Sequence, residues 1–330
     1  MDYSKLPTEK QNPRTRALDR LSVEKILAAI EREDRKIPGA VGRTRRATAR
    51  AVKIIVSSLK KGGRLFFAGA GTSGRLGVLE AAECPPTFNT PPGLVQAVVA
   101  GGKRSVFRSK EGAEDRGVEA RREIGKRVKK GDVVVGISAS GVTNFVREAL
   151  REAKRRGAKT VLVACNFSSP LRSIADVLIA PRLGPEVIAG STRLKAGTAT
   201  KLILNRLTVA AMVRLGKVYG NWMVDLQPRS KKLRARGLGI LKRFTGLSDG
   251  KAEKIFKKAH GRVKAAILMA KKKISYHEAI HILRKTNEFL RPALKSHGGA
   301  ALRGRPLGLR GRPRNKYRHG GRPRRAAPTW

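Results

Sequence analysis

Residues 64–88 read Arg64-Leu-Phe-Phe-Ala-Gly-Ala-Gly-Thr-Ser-Gly-Arg-Leu-Gly-Val-Leu-Glu-Ala-Ala-Glu-Cys-Pro-Pro-Thr-Phe88, and this stretch decides the fold. Leu65 to Ala68 form a short apolar run of the kind a central parallel strand needs. The turn from Gly69 to Gly74 lets backbone N–H groups converge, and a helix is expected directly after it, over 74–83. Unpaired donors at a helix start and the macrodipole both favour negative charge there. Thr72 and Ser73 add hydroxyls at the same place, so the stretch predicts a phosphate site. Glu83 follows Gly74 by nine residues, on or just after the helix.

Working outward, apolar strands are expected at 64–69, 94–100, 132–138, 159–165 and 176–180. Helical stretches are expected at 74–83, 103–128, 142–156, 168–174 and 195–216. Strands that alternate with helices imply an α/β fold, a five-stranded parallel sheet covered on both faces. Ligands in such sheets bind outside the carboxyl ends of the strands. Ser138-Ala-Ser-Gly-Val-Thr143 falls at that edge and repeats the strand, hydroxyl turn, helix order of the first site. Either turn alone reads as ordinary Ser/Thr capping. Together, with Ser138, Ser140 and Thr143 beside a glycine, they suit a phosphorylated sugar.

Flanking segments complete the organisation. Residues 1–59 hold a polar start that is extended or clasps another surface, a helix from Ser22 to Asp34 and a longer one over 41–59. The sheet pattern occupies 60–225. Residues 226–294 read as a small helical module, with a basic helix at 230–243 and three short helices within 248–286. From 295 to 330 the chain is Arg/Gly/Pro-rich and is expected to be disordered.

The formal charge is +49 over 330 residues. Residues 295–330 hold eleven Lys or Arg and no Asp or Glu, which leaves +38 of the +49 on residues 1–294. Such a field attracts polyanions and phosphorylated metabolites and says little about fold. Nonspecific nucleic-acid binding at low salt is therefore expected. Arg303-Gly-Arg-Pro306 and Arg310-Gly-Arg-Pro313 resemble AT-hook peptides, which suggests contact with A·T-rich DNA through 295–330. The plainer reading of those repeats is a basic extension with general polyanion affinity.

Other motifs carry less. Cys84 and Cys165 cannot build a disulfide framework and read as small packed residues of a reducing compartment. His277 and His281 have helical spacing but no accompanying Glu motif, so packing or surface roles are expected. Gly69-x-Gly71-x-x-Gly74 also matches the dinucleotide fingerprint, yet the acidic residue wanted about 20 positions later is absent. Lys103 and Arg104 would suit the extra phosphate of NADP on that reading. The N-terminus has no apolar targeting stretch and no run has membrane-spanning length, so a cytoplasmic protein is expected.

Several blocks resemble one family: Gly69-Ala-Gly-Thr-Ser-Gly-Arg-Leu-Gly77, Ala82-Glu-Cys-Pro-Pro-Thr87, Glu111-Gly-Ala-Glu-Asp115, Gly184-Pro-Glu-Val187, Gly190-Ser-Thr-Arg-Leu-Lys-Ala-Gly-Thr-Ala199 and Gly216-Lys-Val-Tyr-Gly-Asn221. They look like the N-acetylmuramic acid 6-phosphate etherases, sugar isomerase (SIS) domain proteins related to the glucokinase regulatory protein. The similarity runs from about Leu6 to Leu294. It implies an SIS three-layer αβα sandwich and cleavage of the D-lactyl ether of N-acetylmuramic acid 6-phosphate, with no cofactor or metal.

Elimination followed by water addition asks for two carboxyl groups in opposite protonation states. The resemblance assigns them to Glu83, as the acid assisting lactate departure, and Glu114, as the base at carbon 2, with the roles open to exchange. It also implies substrate contacts from Thr72, Ser73, Ser138, Ser140, Thr143, Glu186, Ser191, Thr192 and Lys195, and a homodimer. A non-catalytic sugar-phosphate sensor on the same fold is the alternative.

Three departures from the family pattern stand out. Val142 replaces the usual Arg of the second turn, which removes a planar multi-donor anion contact. Ala189 replaces a usual Thr. The segment Lys103-Arg-Ser-Val-Phe-Arg-Ser-Lys110 is more basic than expected.

Overall fold

The computed structural model describes Ser4 and residues 6–296; the basic repeats expected to contact DNA lie outside the described residues. Five strands form one sheet, β1 (Leu65–Gly69), β2 (Val95–Val99), β3 (Val133–Ile137), β4 (Lys159–Val163) and β5 (Val177–Ile179). All pairings are parallel, in the order β2-β1-β3-β4-β5. Leu65 stands opposite Val95 on one side and Val133 on the other, and Val133 stands opposite Lys159.

The pleat divides each strand between two cores. Leu65, Phe67, Val133 and Val135 face one core, shared with α2 (Lys36–Arg43), α3 (Arg45–Lys60), α4 (Gly71–Phe88) and α8 (Lys195–Arg214). Phe66, Ala68 and Val134 face the other, filled by α6 (Gly117–Arg127) and α7 (Asn144–Arg155). This is the expected three-layer αβα sandwich. A third core gathers Val224, Leu241, Phe256, Ile267 and Leu283. It lies among α9 (Lys231–Thr245), α10 (Asp249–Lys258), α11 (Val263–Lys272), α12 (Tyr276–Lys285) and α13 (Leu290–Lys295).

Several helices differ from expectation. The stretch 103–128 is not one helix: α5 (Arg104–Phe107) stops at an extended Arg108, and a 3-10 turn, Ala113–Asp115, follows left-handed Gly112. The expected helix at 41–59 begins earlier, as α2, and breaks at Thr44 before α3. Helix α4 outruns its predicted end, passing through Pro85 and Pro86 to a left-handed Asn89. Helix α1 (Val23–Asp34) starts as predicted, with Ser22 Oγ accepting the Lys25 N–H. Among the described residues no helix is long and apolar enough to cross a membrane.

The polar start clasps the chain itself. Thr15 Oγ1 donates to the Val187 carbonyl at 2.9 Å, Asn12 Nδ2 to Pro185 O at 3.4 Å, and Gly190 N to Thr8 O at 3.1 Å. These bonds hold the 185–190 loop over the carboxyl edge of the sheet.

Candidate active site

The first hydroxyl turn depends on a close approach of helix to strand. A Cβ on Gly74 would lie 2.6 Å from Gly69 O and 2.8 Å from Val99 Cγ1, so only glycine lets α4 start directly above β1. Helix α4 begins with no side-chain cap, and its first N–H groups have no intrahelical partners. Thr72 and Ser73 lie half-buried in that first turn.

Gly197 in the first turn of α8 faces Thr72, where a Cβ would sit 3.7 Å from Thr72 Cγ2. Half-buried Ser191 and Thr192 lie just before this helix. The two helix starts and their hydroxyls therefore meet at one edge.

The second turn follows β3, whose Ile137 stands opposite Gly69. Ser138 Oγ accepts the Gly141 N–H at 3.0 Å and lies 2.8 Å from Thr143 Oγ1. Ser138 is buried and shapes the turn, whereas Ser140 and Thr143 keep partial exposure. Gly141 has φ +73°, and a Cβ there would approach Ser169 Cβ to 2.7 Å. Glycine is thus required by conformation and by space.

Glu114 sits exposed in the 3-10 turn, beside this second site. Asn144, the first residue of α7, donates from Nδ2 to Asp115 O at 2.8 Å and ties the two loops together. Glu83 is also exposed, but it lies twelve residues into α4. At 1.5 Å per residue that places it about 18 Å down the helix from the first turn of α4. Glu114, by contrast, lies in a loop tied to the start of α7.

Lys195 requires a correction. It is neither an open cation waiting for an anion nor a solvated helix charge. Its ammonium is buried, and its three donors go to Glu33 Oε2 at 2.5 Å, Leu183 O at 3.2 Å and Pro185 O at 2.6 Å. The start of α8 is likewise filled from within. Glu186 accepts the Lys195 N–H at 3.0 Å and the Ala196 N–H at 2.9 Å, so it caps the helix under the site. Burial pushes the Glu186 carboxyl above its ordinary range, against those two N–H bonds and the nearby Lys195 charge.

Glu33 takes a second lysine, with Lys36 Nζ at 2.5 Å from Oε1. Burial alone would raise its carboxyl, but the bonds from Lys195 and Lys36 override it and hold the pKa at about 2.

Two buried carboxylates escape sequence reasoning. Glu33 reads as one more charge in the run Glu31-Arg-Glu-Asp34. Glu80, on the inner face of α4, accepts Asn205 Nδ2 and the Thr208 hydroxyl from α8, which locks those helices side by side. Only its helical spacing from Gly77 and Cys84, on the face turned to the core, signals it. Among the described residues no cluster of three His, Cys, Asp or Glu could hold a metal. His277 and His281 lie exposed on α12.

Residues 47–154 match the glucokinase regulatory protein N-terminal SIS domain family, and residues 116–210 match the SIS domain family. N-acetylmuramic acid 6-phosphate etherase of Geobacillus thermodenitrificans is 45% identical over 291 residues, covering 88% of this chain and 99% of that protein. The etherase of Salinibacter ruber is 48% identical over 294 residues, covering 88% and 94%. That of Yersinia pestis is 45% identical over 295 residues, covering 89% and 100%. With 45–48% identity and near-complete coverage of these relatives, the chain belongs to the N-acetylmuramic acid 6-phosphate etherase family.

Proposed function

We propose that this protein is a carbon–oxygen lyase that cleaves the D-lactyl ether of N-acetylmuramic acid 6-phosphate, giving N-acetylglucosamine 6-phosphate and D-lactate. The observation that carries it is the pairing of hydroxyl turns on neighbouring strands β1 and β3, with Glu114 tied beside them through Asp115 and Asn144. The uncapped start of α4, with Thr72 and Ser73, offers donors to the 6-phosphate. Ser140, Thr143, Ser191 and Thr192 face the same edge and serve the sugar hydroxyls and phosphate. Ser138 and Glu186 shape the two turns, and Lys195 fixes the loop that carries Ser191 and Thr192.

The reaction starts from the open-chain aldehyde. Glu114 removes the proton at carbon 2, and the enolate expels the lactyl oxygen from carbon 3. Glu83 gives that oxygen its proton, so lactate leaves neutral at the ether oxygen. Water then adds to carbon 3 of the unsaturated aldehyde, giving its proton to the carboxylate now free on Glu83, and carbon 2 regains a proton from Glu114 after that carboxyl has exchanged with solvent.

Both carboxyl groups act on one sugar only if a second copy of the chain supplies one of them. The surface around Glu83 supports such a dimer. Leu79 lies one turn before it on α4 and is 46% exposed, while Val209 and Val213 on α8 are 47% and 42% exposed. Glu80 meets Asn205 and Thr208 between the helices, so these apolar residues and Glu83 share the outward side of the α4–α8 pair. An apolar face that carries a carboxylate suits burial against its own copy.

The test is turnover in labelled water. Elimination and hydration place solvent deuterium at carbon 2 and solvent oxygen at carbon 3 of the N-acetylglucosamine 6-phosphate. Retention of the original oxygen at carbon 3 would overturn the mechanism.

A further inference from the structure

At the opposite, amino edge of the sheet the strand starts form a cleft of about 550 Å³ lined by Lys53, Lys61, Lys129, Lys130 and Lys159. No carboxylate lines it, and its remaining walls are Ile54, serines and glycines. All five lysines are exposed. None of their ammonium groups meets an acid within ion-pair distance among the described residues, and none of the five is among the residues with further interactions.

Several arginines of the same sandwich behave differently. Arg64 pairs with Asp132, Arg121, Arg147 and Arg151 with Glu148, and Arg155 and Arg156 with Glu152. These arginine charges are partly offset by buried carboxylates, whereas the cleft's five lysines have none within ion-pair distance among the described residues.

The floor of the cleft is built. Ser58 Oγ donates to Gly131 O at 2.5 Å, and a Cβ on Gly63 would fall 2.3 Å from Gly131 O, so the loops before β1 and β3 are locked together. Lys159 begins β4, one strand over. Adjacent strands stand about 4.8 Å apart, so the cations from three consecutive strand starts form a short row rather than a point.

Helix ends explain part of this charge, since α3 and α6 finish here and cations favour a helix C-terminus. Each end presents only about half a negative charge, which a single lysine exceeds.

We infer that this amino-edge cleft binds the phosphodiester backbone of duplex nucleic acid, without sequence preference. Several features favour that occupant. A row of lysines contacts successive phosphates as point charges. No aromatic or amide side chain lines the cleft to stack on or read a base. No apolar side chain but Ile54 is present to enter a lipid surface. The binding is independent of the sugar reaction, whose turns lie at the other edge of the sheet.

The test uses the full chain and a fluorescent mixed-sequence 20-base-pair duplex, titrated at several salt concentrations. The cleft variant Lys129→Gln/Lys130→Gln/Lys159→Gln is compared with Lys251→Gln/Lys254→Gln/Lys257→Gln, which removes equal charge from α10. Residues 297–330 are the same in all three proteins, so their contribution cancels. The cleft variant is expected to bind about tenfold or more weaker at 100 mM salt, with the slope of log affinity against log salt reduced by about 2 to 3. The α10 variant is expected to stay within about twofold of wild type. Equal losses in both variants, or an unchanged cleft variant, would overturn the inference. So would a cleft variant that loses inorganic polyphosphate binding while keeping the duplex. Unchanged lactate release by the cleft variant verifies that its fold is intact.

Discussion

Lys195 Nζ lies 2.5 Å from Glu33 Oε2 across 162 residues of chain, and both side chains are buried. The pair fastens α1 to the start of α8, and the same ammonium holds the Leu183 and Pro185 carbonyls of the loop between them. Lys195, expected among the substrate contacts, is bonded into the scaffold by its ammonium.

Removing Glu33 leaves the buried Lys195 ammonium without a counter-ion, which costs about 3–5 kcal/mol, whereas removing Lys195 leaves Glu33 still paired with Lys36 and costs less. Glu33→Gln should lower stability by that order and Lys195→Met by less, measured by denaturant unfolding. The double variant should lose less than the sum, because no unpaired ion remains. Additive losses would contradict the pairing.

The pH dependence follows from the same carboxylate. Against the upward push of burial, Glu33 is held at about 2 when folded, well below the ordinary glutamate range, by the bonds from Lys195 and Lys36. A depressed carboxyl stabilises the fold above its unfolded pKa, and that contribution is lost as pH falls from about 4.5 toward 2. Wild type should therefore lose its advantage over Glu33→Gln across that window. A stability gap that stays constant down to pH 2 would remove Glu33 from the explanation.

Val142 occupies a turn whose backbone is already organised by Ser138, Ser169 and Gly141. Val142→Arg should add a planar anion donor at the sugar-phosphate edge and lower KM severalfold, with kcat little changed. A raised KM would mean that the turn no longer faces the phosphate.

Both cysteines should be unreactive in the folded protein. Burial, together with the Glu80 and Glu83 charges, pushes the Cys84 thiol to about 12. Burial, with Glu186 nearby, pushes Cys165 to about 12. Alkylation with iodoacetamide at pH 8 should proceed only after unfolding. Rapid native labelling at either position would contradict this packing.

The proposed sharing of the site between two copies of the chain also makes a prediction. Glu83→Gln and Glu114→Gln chains, each inactive alone, should regain up to about a quarter of wild-type activity when unfolded together and refolded. A mixed dimer then has one site with both glutamates intact. No recovery in a mixture shown to contain mixed dimers would place both groups on one chain.

Much of this architecture is legible in the residue pattern. Strands β1 and β3 are short and wholly apolar, so their burial on both faces reads directly from the sequence. The two hydroxyl turns are legible because glycine and Ser/Thr alternate where strand gives way to helix. Glu33 is not legible, because its burial depends on α2 turning back at Arg35 and on a lysine far along the chain. The split of 103–128 was hidden because Gly112 breaks a sequence otherwise rich in helix formers. The distance between Glu83 and the phosphate turn emerges only once α4 is seen as one unbroken helix through Pro85 and Pro86.

The most direct measurement is D-lactate release from N-acetylmuramic acid 6-phosphate by wild type, Glu83→Gln and Glu114→Gln. Wild type should release D-lactate and N-acetylglucosamine 6-phosphate in equal amounts, and each variant should be slower by about 10²–10⁴-fold. Folded wild-type protein that binds the sugar phosphate and releases no lactate would contradict the assignment and make the protein a sensor.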